Sequence, residues 1–235
     1  MIIYWAGIDY DSYKDWNMLY REPENILTLM NKTREKNNEN SFFQCPAVTN
    51  HFKNTFVINN PQHSAYKIEN NIVTPLTKGY VSSNIEHPNK ALNQSTLFRY
   101  GLSYIFFTEE ENVTMRLTGP YFSNNQHFQY GAVIPGELNI SSWFRNVNFE
   151  FNLWPNVDTF EIFENEPLAY VNFNVKEKIT LKRFYVTDEL KRITHSTGTS
   201  STWFPNISLE KRYNMFEKSK LKSFIIKNIK ENLMQ

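Results

Sequence analysis

Short runs of β-branched and aromatic residues fill the chain from residue 41 onward, and Asn, Gly or Pro separates them at intervals of roughly ten residues. The alternation is clearest in VNFEFNLW, where the apolar residues from Val147 to Leu153 fall on one face and Asn and Glu fall on the other. A period of two places alternate side chains on opposite faces of a strand. Short strands at this spacing are typical of a β-sandwich or jelly roll, so the pattern predicts a mainly β body over residues 41–190.

The segments on either side of this body differ from it. Near the N-terminus, Pro23 is followed by apolar residues at helical spacing, among them Ile26 and Met30, which predicts a short helix in an extension over residues 1–40. After the body, residues 191–204 are rich in Ser and Thr and are predicted to form a polar loop.

Residues 205–235 are predicted to form one amphipathic helix, which Ser208 can cap. Its apolar stripe includes Tyr213, Phe216 and Phe224, and its other positions are rich in Lys and Arg. Burying one such aromatic side chain is worth about 2 kcal/mol, whereas each exposed Lys contributes at most about 1 kcal/mol at an anionic surface. The helix is therefore expected to dock on the body or on a second copy of the chain, and neither nucleic acid nor a membrane is predicted as a partner.

Composition and charge narrow the choice of compartment and partner. The 235 residues suit one large all-β domain or two small ones, and 25 Lys and Arg against 24 Asp and Glu leave no overall field for steering a charged partner. A single cysteine excludes an internal disulfide. No run approaches the ~20 apolar residues that a membrane span needs, and the first residues do not resemble a signal peptide. We therefore expect a cytoplasmic location.

The segment FFQCPAVTNHFKNTFVI holds the single cysteine, Cys45, six residues before His51. One interpretation is a nucleophilic thiolate with its base, or a pair of metal ligands. The other is a buried cysteine that acts as a small apolar residue, with the histidine in a turn. Residues six apart point about 240° from each other in a helix and lie about 20 Å apart in a strand, which favours the second interpretation.

The sequence contains few of the residue patterns that bind metals or cofactors. The five histidines are scattered, and no Asp occurs between Asp15 and Asp158, although hard cations and phosphoryl chemistry depend on Asp. The chain has no Gly-rich phosphate loop and no Cys-x-x-Cys. We therefore predict neither a metal nor a cofactor. The run Glu109–Glu111 is predicted to be a solvated hairpin turn, and the glutamates between Glu161 and Glu166 are assigned to a second hairpin in the same way.

One segment, RLTGPYFSNNQHFQYGAVIPGELNISSWFRN, has the composition of a ligand site. It combines polar tips, aromatic residues and a Gly-Pro turn, and loops of this kind at the end of a sandwich often bind ligands. The alternative is a long connection whose aromatic side chains close the end of the sandwich, and this alternative is favoured. The candidate ligand-binding residues of the segment are Arg116, His127, Glu137, Trp143 and Arg145.

From Ser41 to Phe184, the order of motifs resembles domain of unknown function 6065 and uncharacterised proteins of tailed phages of marine bacteria. Two positions depart from the family pattern: Ser141 and Ser142 stand before Trp143 where an acidic residue is usual, and Asn165 replaces the Gly of a Gly-Glu-Pro turn. The resemblance implies a β fold and a phage source, which suits the Asn, Lys and Ile bias of the chain. The motifs that carry it are FFQCPAVTNHFKNTFVINNP, FRYGLSYIFFT, VTMRLTGPYF, ELNISSWF, NFEFNLW and FENEPLAYVNF.

A second resemblance concerns GAVIPG and NEPLAYV, which are similar to the β-clip of deoxyuridine triphosphatases and deoxycytidine triphosphate deaminases. Those enzymes use an Asp to activate water, and Glu137 is the residue that stands nearest to that role here. The sequence thus leaves three functions open. The favoured one is a phage accessory protein that binds a small ligand or a protein partner; the others are a virion component, which would change the location, and a nucleotide-processing enzyme.

Overall fold

The computed structural model describes residues 1–8, 20–33, 45–70, 72–77, 83–86, 96–197 and 207–234. Strands account for 40% of the residues and helices for 26%, which confirms the mainly β fold. The strands are β1 (Ile2–Gly7), β2 (Glu24–Asn25), β3 (Thr55–Asn59), β4 (Ser64–Glu69), β5 (Ile72–Pro75), β6 (Ser83–Glu86), β7 (Thr96–Phe107), β8 (Thr114–Thr118), β9 (Gly131–Val133), β10 (Gly136–Asn139), β11 (Asn146–Leu153), β12 (Thr159–Ile162), β13 (Pro167–Phe173) and β14 (Thr180–Arg183).

Three sheets hold these strands. The six-stranded sheet has the order β14-β1-β7-β11-β9, with β6 also paired to β7; the five-stranded sheet has the order β10-β8-β13-β3-β2; and the third sheet has the order β12-β4-β5. The helices are α1 (Ile26–Thr33), α2 (Pro46–Phe52), a short 3₁₀-helix (Gln126–Gln129), α3 (Asp188–Thr197), α4 (Leu209–Lys218) and α5 (Leu221–Glu231). Among the described residues, none of these helices combines the length and apolarity needed to cross a membrane.

The largest core cluster joins side chains from all three sheets, and aromatic rings fill much of it. In β11, Phe149 and Phe151 enter this core, while Asn148 and Glu150 point the other way, so the alternation read from VNFEFNLW is confirmed. The rings of Tyr104 and Phe149 meet edge to face with centroids 6.0 Å apart, which is a favourable aromatic geometry. This packing determines which side chains of each strand point away from the core.

The outer face of the six-stranded sheet is apolar at one end, where α3, α4 and α5 cover it. Ile105 and Phe107 of the sheet form a second cluster with Phe216, Ile225 and Ile229 of the helices. The C-terminal helices therefore dock on the sheet by their apolar residues, as the energy comparison for the apolar stripe predicts.

The outer face of the five-stranded sheet is only partly covered. Helices α1 and α2 pack on it through a small cluster that includes Phe52 and Tyr170. Beyond this cluster, Arg116 of β8 and Glu137 of β10 point outward and are exposed. This sheet therefore presents both an aromatic and a polar surface to solvent.

The N-terminal segment differs from the sequence prediction, which assigned residues 1–40 to a helical extension. Helix α1 forms as expected, but β1 lies inside the six-stranded sheet, parallel to β14 and antiparallel to β7. Ile3 and Trp5 of β1 are fully buried. The prediction was wrong because no turn residues mark the first residues as a separate strand. They become a central strand only through pairing with β7 and β14, which lie far along the chain.

The C-terminal prediction also needs correction. Residues 191–197 belong to α3 and not to a polar loop, and residues 198–206 lie outside the described residues. The single helix is divided in two, because Lys220 adopts a left-handed conformation with φ 57° between α4 and α5. Ser208 caps α4 as expected, by accepting a hydrogen bond from the Lys211 amide. Phe224, which the sequence placed in the apolar stripe, is 46% exposed.

We predict that Gly7→Ala destabilises the protein by about 1–3 kcal/mol, because overpacking a rigid core forces neighbours apart. A Cβ atom at Gly7 would lie 2.0 Å from Cγ of Tyr20, whose hydroxyl is held by the Ile8 carbonyl. The matched control is Gly136→Ala, where nothing lies within 4 Å of the added atom. Urea unfolding of the three proteins is the measurement, and equal midpoints for both variants would contradict the prediction.

We also predict that Ile229→Ala lowers the free energy of unfolding by about 2–5 kcal/mol, since it leaves a cavity between α5 and the sheet. Ile229 is fully buried, whereas Phe224 in the same helix is 46% exposed. Phe224→Ala should change stability by no more than about 1 kcal/mol. Thermal unfolding followed by circular dichroism measures both, and a larger loss for Phe224→Ala would contradict the docking described above.

Candidate functional site

The structure separates the five predicted site residues into three places. Arg116 and Glu137 lie side by side on the outer face of the five-stranded sheet. His127 is fully buried in the 3₁₀-helix, so it is not the polar tip of a ligand site that the sequence suggested. Trp143 and Arg145 lie against α4 on the helical side of the protein. The long connection therefore does not form one site.

Trp143 and Arg145 attach α4 to the body. The Trp143 ring stacks on Tyr213 with centroids 3.6 Å apart and planes only 7° from parallel. The Arg145 guanidinium donates a hydrogen bond to the Tyr213 hydroxyl. Since Tyr213 is buried, these contacts hold α4 on the body, and Trp143 and Arg145 are themselves half-buried.

His127 forms a buried pair with Glu166, a contact that sequence reasoning missed. Nδ1 of His127 lies 2.9 Å from a carboxylate oxygen of Glu166, and both side chains are almost completely buried. An ionised carboxylate can only accept, so Nδ1 carries the proton in this bond. The other ring nitrogen, Nε2, has no hydrogen-bond partner within the described part of the chain.

Glu166 also accepts hydrogen bonds from the backbone amides of His127 and Phe163, at 3.1 and 2.9 Å. Burial by itself raises the pKa of Glu166, but these donors and the imidazole outweigh it and hold the pKa below its ordinary value. The expected hairpin at residues 161–166 was wrong, because the turn carries the chain from the third sheet to the five-stranded sheet. Asn165 in this turn has φ 66°, a conformation that Gly and Asn tolerate best.

Cys45 and His51 do not form a pair. They lie at opposite ends of α2, where Cys45 is the N-cap residue and His51 is in the last turn. Cys45 is exposed, so the expected buried cysteine was wrong, as was the turn expected at the histidine. Pro46 begins this helix because a proline at the first position loses no helical hydrogen bond. The run Glu109–Glu111 is exposed, as the sequence predicted, but the predicted hairpin is wrong, because the run connects β7 of the six-stranded sheet to β8 of the five-stranded sheet.

The outer face of the five-stranded sheet carries a group of neighbouring aromatic rings that we call the aromatic corner: His51, Phe52, Tyr121, Phe122 and Tyr170. Phe52 and Tyr170 are buried, whereas Tyr121 and Phe122 are 51% and 42% exposed. The Phe122 ring meets Phe52 edge to face at 4.9 Å, and the Tyr121 ring meets Tyr170 in the same way at 5.2 Å. The exposed rings are thus held by buried ones.

Beside the aromatic corner, three polar side chains form what we call the polar row: Asn172, Arg116 and Glu137. Asn172 of β13 is in register with Arg116 of β8, and Arg116 is in register with Glu137 of β10. Nε and Nη2 of Arg116 donate to one carboxylate oxygen of Glu137, at 3.0 and 2.9 Å. These two side chains remain 63% and 51% exposed. The row therefore offers polar groups to solvent without net charge.

His51 joins the aromatic corner to the polar row. Its Nε2 lies 2.7 Å from the Tyr121 hydroxyl, and its carbonyl accepts a hydrogen bond from Nδ2 of Asn172. Burial and the neighbouring Tyr170 raise the pKa of Tyr121, so its hydroxyl stays protonated at neutral pH. The corner and the row form one continuous surface.

Sequence reasoning found part of this surface. It selected Arg116 and Glu137, and His51 as a secondary candidate, but it did not select Tyr121, Phe122 or Asn172. The Gly-Pro turn before Tyr121 was the available signal, since a turn directs the following side chains outward. Among the residues that the structure describes, no group of three or more His, Cys, Asp or Glu side chains is placed to hold a metal ion.

Comparison with known proteins adds little to this description. No family model matches the chain, and no curated protein matches it. Among solved structures, it is similar to a mutant dUTPase from phage phi11 of S. aureus that coordinates a structural Mg(II) ion, at 10% identity over 72% of this chain and 93% of that chain. The TM-score is 0.30, which is too low to support an argument about function.

We predict that Glu166→Gln lowers the free energy of unfolding by about 1–3 kcal/mol at pH 7, because buried donors lose a charged acceptor. The pKa of Glu166 is lower in the folded protein than its ordinary value of 4.5, so the unfolded state binds the proton more readily. The stabilisation is therefore present above pH 4.5 and is lost as the pH falls through the lowered pKa.

The measurement is urea unfolding of the wild type and of Glu166→Gln at several pH values between 7 and 3. The difference between the two proteins should shrink below pH 4.5. Glu164→Gln is the matched control, because Glu164 is an exposed carboxylate in the same turn, bonded to Arg21 on the surface. A difference that stays constant with pH would contradict the assignment.

Proposed function

We propose that this protein is a binding protein, and that it recognises its ligand or protein partner through the aromatic corner and the polar row. The supporting observation is that Tyr121 and Phe122 are adjacent, exposed and fixed. This role is the one that the sequence analysis favours, an accessory protein that binds a small ligand or a protein partner.

Tyr121 and Phe122 are each about half exposed, so each ring forgoes roughly half of the ~2 kcal/mol that full burial is worth. Exposed apolar residues scattered singly are ordinary, whereas neighbouring aromatic side chains rimmed by polar groups mark binding surfaces. The two rings lie 5.4 Å apart, and each also contacts the buried Phe52. Rings held in this way lose little conformational entropy when a ligand binds.

The other two functions from the sequence, a virion component and a nucleotide-processing enzyme, remain hypotheses. No contact among the described residues favours either of them. Glu137, which the enzyme hypothesis needs as a base, is exposed on a sheet and bonded to Arg116. A general base is more effective in a site that excludes water.

We predict that small aromatic, heteroaromatic and pyranoside fragments bind at the aromatic corner. Backbone amide NMR spectra recorded with and without each fragment should show the largest shifts at His51, Tyr121 and Phe122. The double variant Tyr121→Ala/Phe122→Ala should lose these shifts, because it removes the exposed contact surface and leaves the buried rings in place.

The matched control is Tyr185→Ala, which removes an aromatic ring that is 43% exposed after β14. It should leave the fragment shifts at the corner unchanged. Fragments that gather elsewhere on the protein, or corner shifts that survive the double variant, would contradict the proposal.

A further inference from the structure

The polar row has the geometry of a planar hydrogen-bonding surface. Its members occupy neighbouring strands in register, so their Cα atoms are spaced about 5 Å apart across the sheet. Amide, guanidinium and carboxylate groups are all flat and can each make two parallel hydrogen bonds. Such a row fits a ligand that presents hydroxyl groups at regular intervals.

The groups of the row that stay available include both donors and acceptors. Asn172 uses its Nδ2 to donate to the His51 carbonyl and to Oγ1 of Thr55, which leaves its amide oxygen as an acceptor. Arg116 uses two N–H groups on one oxygen of Glu137. The remaining guanidinium N–H groups and the second carboxylate oxygen can bond a ligand. A hydroxyl group both donates and accepts, so it can use every one of these atoms.

The aromatic corner supplies an apolar surface next to this row. Tyr170, which lies under Tyr121, is two positions before Asn172 on the same face of β13, a distance of about 7 Å along the strand. The negative face of an aromatic ring attracts the weakly positive hydrogens of C–H groups. A ligand that bridges the corner and the row therefore needs a C–H face close to a series of hydroxyls.

Charge decides against phosphate-bearing ligands at this surface. Sites for phosphate use Arg or Lys side chains whose charge is available to the ligand. Here the charge of Arg116 is balanced by Glu137, in a chain whose formal net charge is +1. A protein partner is also less suited, because it would bury Glu137, and Glu is depleted at protein interfaces.

Resting on the proposed function, we infer that the aromatic corner and the polar row form a binding site for an uncharged carbohydrate chain. The sugar rings lie with their C–H faces on Tyr121 and Phe122. Their hydroxyls bond Asn172, Arg116 and Glu137 along the row.

The experiment is a titration of the full chain, followed by amide NMR and calorimetry, with neutral hexasaccharides of glucose, xylose, mannose and N-acetylglucosamine. At least one should bind and shift residues of both the corner and the row. Tyr121→Ala and the double variant Arg116→Ala/Glu137→Ala should each weaken that binding at least about tenfold.

The double variant Arg99→Ala/Glu150→Ala is the control, and it should change the affinity less than about twofold. Arg99 and Glu150 form an equivalent cross-strand pair in the six-stranded sheet, with Nε and Nη2 donating to one carboxylate oxygen at 3.0 and 2.8 Å. A similar loss in the control would overturn the assignment of the row.

The other outcomes separate this inference from the proposed function. If aromatic fragments bind the corner but no hexasaccharide binds there, the carbohydrate inference falls and the binding function stands. If dUTP or dCTP displaces or replaces the sugars at the row, the site belongs to a nucleotide and the inference is overturned. If neither fragments nor hexasaccharides bind this face, both proposals fall.

Discussion

The packing of aromatic rings between the sheets is the constraint on which the rest of the structure depends. Rings such as those of Phe98, Tyr104 and Phe149 are completely buried, and they fill the space between facing strands. Even the Tyr100 hydroxyl at the centre is satisfied, by Asn60 and Ser64. Because strand side chains alternate, committing one face of every strand to this core also decides which residues the opposite face presents.

The outer faces of the six-stranded and the five-stranded sheet are covered to different extents. The six-stranded sheet has apolar residues at one end of its outer face, and the C-terminal helices cover them. The five-stranded sheet carries Asn172, Arg116 and Glu137 on its outer face. These side chains need no cover, because Arg116 and Glu137 bond each other, Asn172 bonds the His51 carbonyl and Thr55, and the rest is open to solvent. The aromatic corner and the polar row thus lie on the part of the sandwich that folding does not require to be buried.

Local geometry at that surface is fixed by contacts between distant segments. The 3₁₀-helix that follows the aromatic corner is tied to the turn before β13 by the carboxylate of Glu166. A single buried carboxylate with several donors holds a loop more rigidly than exposed pairs do. The loop that carries Tyr121 and Phe122 therefore runs between two anchored points, β8 and this buried pair.

The sequence by itself determined most of the strands after residue 41, the short first helix, the Ser208 cap and the exposure of Glu109–Glu111, because alternation, capping and local polarity are properties of neighbouring residues. Tertiary structure decided what lies far apart in the chain: the insertion of β1 between β14 and β7, the burial of His127 against Glu166, and the alignment of Asn172 with Arg116 and Glu137. Strand register and burial depend on partners that local patterns do not specify. For that reason the sequence predicted only some of the residues of the aromatic corner and the polar row, and it did not predict how they are arranged.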